Sequence, residues 1–370
     1  MKMHKRLAFV DTLRGIAVLS VVLQHTLEQI VLNQPTGTYY WTFHYALGEY
    51  FNFGRFGVVL FFFVSGFVIP YSFPNSAAPV RDFAISRFFR LYPAYWLSIV
   101  VLLVLSPAIE GKTFPSSHVL ANVTMFQMFM GVPNIRIAYW TLTVELIFYI
   151  SCICLFATGF LTRRLTALQI VIATCIIGIV AFPVVKIHAV WGVLELALDL
   201  TAMFFGKVIR DTVMEGKLNW RHVGICALLY VIFAAGVTYR RYGIDYQENF
   251  FCAYGMGAAY IVAAFVFIGF AALGEKAAWR FMSFVGMISY SIYLMGSFAM
   301  IVIFYYLGAG SGPVQWLLFT VAVIAASILV SWLTYLAIEK PSIRFGQRFR
   351  SPRSFASVSL QSPLRSQVAE

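Results

Sequence analysis

Asp11, Arg14, His25 and Glu28 interrupt the apolar stretch "RLAFVDTLRGIAVLSVVLQHTLEQI". At ~100° per residue, helical spacing sets Arg14, His25 and Glu28 at about 300°, 320° and 260° from Asp11, one face within an arc of about 100°. Arg14 and His25 are nearly aligned in azimuth but roughly 16 Å apart along the axis, two depths of one polar channel. A neutral imidazole among polar groups is the usual general base, and a guanidinium further along the channel suits an anion. A structural role is also open: Asp11 and Arg14 as an i, i+3 pair near one interface, His25 as a hydrogen-bonded packing residue. Glu28, near the opposite interface, reads as structural.

Three other stretches hold candidate partners. In "ISRFFRLYPAYW", Arg87 and Arg90 lie one helical turn apart, a spacing that lets two guanidiniums grip a phosphate or anchor a helix at an interface. In "AYWTLTVELIFYI", Glu145 reaches a depth within about 5 Å of His25, so its carboxylate is expected to orient the imidazole and stabilise the protonated form. "FGRFGVVLFFFVSGFVIPYS" sets Arg55 at an outer mouth and Ser65 and Gly66 at mid-depth, where small residues allow close helix contact. Glu195 and Asp199 form a second interior acidic patch at i, i+4, with no chemistry assigned to it.

These residues must be carried through a bilayer. The chain has 370 residues, 61% hydrophobic and 11% charged, a composition outside the range of soluble domains. Apolar runs without strict alternation exclude a β-barrel and predict an all-α bundle of about ten transmembrane helices, near 8–31, 52–73, 86–109, 138–160, 168–185, 190–209, 222–238, 250–273, 283–307 and 315–338. The first span is too long and too charged for a cleaved signal. Only Lys112, Arg136, Lys186, Arg240 and Arg241 fall on one side of this topology, and Arg14 and Arg55 lie in or at the edge of spans; every other Lys and Arg lies on the side of the termini. Both termini are therefore expected to be cytoplasmic. The net charge of +12 is dispersed over loops, which argues against a nucleic-acid surface. Cys152, Cys154, Cys175, Cys226 and Cys252 fall within spans without disulfide or metal-ligand spacing, and no metal site is expected. The Ser-, Arg- and Pro-rich segment 347–370 is expected to be a disordered tail beyond a single membrane domain, 1–346.

In order along the chain, "FVDTLRGIAVLSVVLQHT", "FGVVLFFFVSGFVI", "SRFFRLYPAYW", "YWTLTVELIFY", "ISYSIYLMG" and "IEKPSIRFG" resemble the signatures of the membrane acyltransferase 3 family. These are integral membrane O-acyltransferases that decorate surface polysaccharides and other secreted or lipid-linked acceptors. The resemblance implies transfer of an acyl group, often acetyl, from cytoplasmic acyl-coenzyme A, a donor substrate and not a tightly bound cofactor, to a hydroxyl of a glycan or similar acceptor. It implies a multi-pass protein of the inner or plasma membrane. His25 would be catalytic, Arg87 and Arg90 would engage the donor, and Arg14 and Glu145 would complete the site. Two positions depart: Val59 stands where many members carry an acid, and Gly296 where many carry a His, so roles ascribed there do not transfer. A different class stays open, a proton-coupled carrier with His25, Glu145, Glu195 and Asp199 as relay. It lacks the duplicated halves such carriers show.

Overall fold

The computed structural model describes residues 7–33, 46, 50–184, 188–243 and 252–352. Eight helical stretches among them are long and apolar enough to cross a membrane: Ala8–Asn33, Phe53–Tyr71, Pro79–Glu110, Ile137–Ala157, Trp220–Tyr242, Ala253–Ala277, Ser289–Leu307 and Pro313–Phe349. All eight coincide with expected spans. The other two expected spans are also helical, at Thr166–Val184 and His188–Val213. The first has a shorter described apolar stretch, Thr166–Ala181, and the second carries Glu195, Asp199, Lys207, Arg210 and Asp211. The chain is thus a helical multi-pass membrane protein with eight such spans, not ten, among the described residues.

In chain order the described helices begin with α1 (Ala8–Asn33), α2 (Phe53–Val68), α3 (Pro79–Leu105), α4 (Ser116–Val123), α5 (Trp140–Ala157), α6 (Thr166–Val184) and α7 (His188–Val213). They are followed by α8 (Trp220–Tyr242), α9 (Ala253–Leu273), α10 (Arg280–Met287), α11 (Ser289–Leu307), α12 (Pro313–Thr334) and α13 (Lys340–Gly346). The expected ninth span is broken at Ile288, which lets α10 lie along the first half of α1 while α11 continues along the second. Thr12 Oγ1 and Ser283 Oγ, 2.9 Å apart, tie α10 to α1, and the Trp279 N–H donates to Thr12 Oγ1 at 3.0 Å.

In lipid, burying apolar surface between helices gains little, because the acyl chains are equally apolar; close packing has to supply the attraction. α2 is central, packing against α1, α7 and α9. A Cβ on Gly66 would stand 1.6 Å from the Met203 carbonyl oxygen, and one on Gly206 would stand 2.2 Å from that of Phe63, so α2 and α7 meet backbone to backbone. Around that contact Phe63 stacks on Phe267 and packs edgewise on Phe205 and Tyr230. Val104, Ile177, Phe265, Val321 and Leu329 are exposed, the outward face expected beside hydrocarbon.

Beyond α13, Gln347–Phe349 forms a 3₁₀ turn, and the Ser351 N–H donates to both oxygens of the buried Asp82 carboxylate, at 3.1 and 3.2 Å. The beginning of the expected disordered tail is therefore pinned to the start of α3, because Asp82 needs donors there; residues 353–370 lie outside the described residues.

Candidate active site

A cavity of about 370 Å³ opens among α1, α2, α3, α5, α7 and α11. Arg14, Arg87, Arg90 and Glu145, far apart in sequence, all line it, with Asp11 and Ser65. Arg87 lies over the rings of Phe83 at 5.3 Å and Tyr149 at 5.7 Å, and its buried Nε has no hydrogen-bond partner. Tyr149 donates its hydroxyl to Glu145 Oε1 one turn earlier. Arg14 is within electrostatic reach of Arg90, Asp11, Glu339 and Glu145. Glu339, buried in the π-helical stretch Tyr335–Glu339, accepts from Ser291 Oγ at 2.7 Å. Turns of this kind, whose hydrogen bonds join residues i and i+5, often mark functional positions.

Arg210 is the fourth guanidinium in this lining, and sequence reading counts it as a loop cation. The helix expected to stop at 209 continues to Val213, and that last turn carries Arg210 into the cavity. Its Nη1 donates to the Phe67 carbonyl oxygen at 3.0 Å, and its guanidinium stacks 4.0 Å from the Tyr71 ring centroid. Tyr71 donates to Asp211, which is ion-paired to Lys207 at 2.7 Å, all three groups on or against the same helix end. The run Lys207, Arg210, Asp211 at i, i+3, i+4 is the signal that could have revealed a buried charged turn. The described lining holds four guanidiniums against the carboxylates of Asp11 and Glu145, an excess of positive charge suited to a polyanion.

His25 lines a second cavity, of about 220 Å³, with Glu28, Arg136, Gly296 and Tyr293. His25 Nδ1 is 2.9 Å from Glu28 Oε2, while Gln24 Nε2 donates to Glu28 Oε1 at 2.8 Å. Gln24 is buried, and its Oε1 accepts from the Phe53 N–H at 2.9 Å, so the start of α2 holds the chain of contacts in place. With Nδ1–H donated to the carboxylate, Nε2 is the basic nitrogen of the ring. Glu145 does not orient His25 as expected: it lines the other cavity and is engaged by Tyr149. Helix rotation, which depth alone does not set, turns Glu145 toward Arg87. Glu28, the residue that reads as structural, takes the orienting position.

Tyr293 lines both cavities. Its hydroxyl is held between Thr141 Oγ1 at 2.7 Å and the Ala138 carbonyl oxygen at 2.9 Å, and Phe61 packs edgewise on its ring. One side chain thus stands between the guanidinium-lined space and the imidazole-lined space, both of which open on the polar face of α1.

The family of acyltransferase domains known as acyltransferase 3 matches residues 7–336, nearly the whole chain and all the cavity-lining residues named above. The chain belongs to this family. It is an enzyme that transfers acyl groups. The acyltransferase is 25% identical over 325 residues to the exopolysaccharide production protein ExoZ of Rhizobium meliloti, covering 83% of this chain and 96% of that protein. It is 26% identical over 184 residues to nodulation protein 10 of Rhizobium leguminosarum bv. viciae, covering 44% of this chain and 48% of that one. No solved structure matches.

The second acidic patch of the acyltransferase has a different use. Glu195 Oε1 pairs with Arg55 Nη2 at 2.9 Å and Oε2 with Arg241 Nε at 3.5 Å, while Asp199 accepts from the Tyr260 hydroxyl at 2.7 Å. Arg55 itself donates to the hydroxyls of Tyr260 and Tyr242, at 3.2 and 3.1 Å. Glu195 and Asp199 line neither cavity; Glu195 ion-pairs with Arg55 inside the bundle, and Asp199 lies within electrostatic reach of it. Gly296 borders the His25 cavity, and Val59 is fully buried in the core.

Proposed function

We propose that the protein is an O-acyltransferase that takes an acyl group, acetyl by preference, from acyl-coenzyme A in the guanidinium-lined cavity. It passes the group to a hydroxyl of a glycan or related acceptor in the His25 cavity. The observation that carries this reading is the pair of cavities along one face of α1, cationic at one end and built around an imidazole–carboxylate pair at the other, meeting at Tyr293. Arg14, Arg87, Arg90 and Arg210 bind the phosphates of the donor, and its pantetheine arm carries the thioester toward Tyr293.

His25 Nε2 takes the proton of the acceptor hydroxyl as its oxygen attacks the thioester carbonyl. Glu28 stabilises the imidazolium, and general base catalysis of this kind contributes about 10²- to 10⁴-fold in rate. Collapse of the tetrahedral intermediate breaks the carbon–sulfur bond, and the imidazolium returns the proton to the departing thiolate. Glu145, with Tyr149, positions Arg87 and Arg14 on the donor side.

The bias of Lys and Arg toward the side of the termini supports a cytoplasmic donor entrance and an acceptor on the opposite face of the inner or plasma membrane. The exopolysaccharide production protein among the relatives favours a polysaccharide or its lipid-linked precursor as acceptor. A carrier relay through Glu195 and Asp199 has less support, since Glu195 is ion-paired to Arg55 and Asp199 accepts from the Tyr260 hydroxyl.

Acyl transfer by the purified protein from acetyl-coenzyme A, compared with His25→Ala, tests the reading. The expected result is turnover in the wild type and a loss of at least about 10²-fold in the variant. Undiminished transfer by His25→Ala would remove the imidazole from the chemistry.

A further inference from the structure

We infer that the acceptor carries an oxyanion, a carboxylate or a phosphate, and that Arg136 binds it; the inference rests on the acyltransferase reading of the His25 cavity. Arg136 lines that cavity, and its guanidinium lies 4.0 Å from the centroid of the Phe298 ring. A planar guanidinium resting by one face on an aromatic ring keeps its edges for a bidentate partner. Among the described residues none supplies it, for no carboxylate lies within 4 Å of Arg136.

Both nearby acids are committed elsewhere. Glu28, in the same cavity, gives one oxygen to His25 and the other to Gln24. Glu110, within electrostatic reach of Arg136, accepts from Ser106 Oγ at 2.8 Å and pairs with Lys112 at 3.7 Å. Among the described residues the cavity therefore holds a cation that forms no ion pair, beside a base whose carboxylate is already engaged.

The position of Arg136 is also built. It precedes the 3₁₀ turn Ile137–Tyr139, whose Tyr139 N–H donates to the Arg136 carbonyl oxygen at 3.1 Å. The loop before it hangs on the fully buried Asn122, which donates to the Pro133 carbonyl oxygen at 3.1 Å and accepts from the Ile135 N–H at 3.2 Å. A site assembled in this way holds the guanidinium before the ligand arrives, and so loses less entropy on binding. An acceptor held by its oxyanion at Arg136 would present a neighbouring hydroxyl to His25 across the same cavity.

The test uses the full-length protein in detergent with acetyl-coenzyme A and three matched acceptors: a methyl hexoside, the corresponding methyl hexuronide, and a hexose phosphate. The wild type is expected to favour the hexuronide, the phosphate or both over the neutral hexoside by at least about tenfold in kcat/KM. Which anion is preferred distinguishes the two sources. Arg136→Gln is expected to bring the ratio of anionic to neutral acceptor close to one, Arg136→Lys to keep an intermediate ratio, and both to bind the donor like the wild type.

A wild-type ratio of one or less, or a preference that survives in Arg136→Gln, overturns the proposal. If Arg136→Gln loses donor binding, Arg136→Lys carries the test, and a wild-type ratio in it overturns the proposal. Transfer to none of the three acceptors while the donor is still hydrolysed also overturns it and leaves the acyltransferase reading intact. Absence of both transfer and hydrolysis defeats that reading itself.

Discussion

His25 Nδ1 and Glu28 Oε2 lie 2.9 Å apart on successive turns of α1, so the proposed base is oriented from within its own helix. The same carboxylate is clamped by Gln24, which the Phe53 N–H fixes in turn. Glu28→Gln is expected to lower kcat by about 10- to 10³-fold and leave the KM for the donor within about twofold. Steady-state kinetics with donor and acceptor varied separately distinguishes this from Glu145→Gln, which should act mainly on the donor KM. The reverse split would return the orienting role to Glu145.

Arg210 should matter to donor binding as much as the two arginines of α3. Losing one charge-assisted contact to a phosphate weakens binding by about 1.5–3 kcal/mol, roughly 10- to 150-fold. Calorimetric titration of coenzyme A into Arg87→Ala, Arg90→Ala and Arg210→Ala is expected to show weakening of that order in each. Unchanged affinity in Arg210→Ala would confine that residue to bracing Tyr71 and the Phe67 carbonyl.

Tyr293 lines both cavities and in the proposed reaction separates donor from acceptor space, so removing its ring should let water reach the thioester. Tyr293→Ala is expected to raise the ratio of donor hydrolysis to productive transfer, while Tyr293→Phe keeps the ring and loses only the bonds to Thr141 and Ala138. Free acid and acylated product can be counted in one assay. Equal ratios in wild type and Tyr293→Ala would contradict the separating role.

Gly66→Ala should destabilise the bundle, because a Cβ there overlaps the Met203 carbonyl and neither backbone can give way without parting α2 from α7. Overpacking costs about 1–3 kcal/mol where neighbours can shift and more where they are backbone. A clear fall in Tm in detergent is expected. Gly269→Ala, with nothing within 4 Å of its added Cβ, is the matched control and should leave Tm unchanged.

Arg55→Ala leaves Glu195 and Asp199 without their central cation and is expected to cost about 3–5 kcal/mol, read as loss of folded protein after extraction. Proton uptake into proteoliposomes that followed wild-type expression and vanished in Asp199→Asn would instead revive a relay.

What the sequence by itself determined is whatever depends on one helix at a time. The common face of Asp11, Arg14, His25 and Glu28 follows from 3.6 residues per turn, and the spacing of Arg87 and Arg90 from a single turn. The ordered motifs were enough to identify the family. Partners across helices are another matter, because they depend on axial rotation and depth, which close contacts such as Gly66 on Met203 and Gly286 on Asp11 set only when the bundle is assembled. Depth alone suggested Glu145 for His25; rotation assigns Glu145 to Tyr149 and leaves the imidazole to Glu28. Arg210 enters the guanidinium-lined cavity only because α7 runs one turn further than its hydropathy indicates. Glu195 and Asp199, without an assignment in the sequence, acquire one when α2 brings Arg55 against α7. Local periodicity selected the polar face, and tertiary packing decided which groups meet on it.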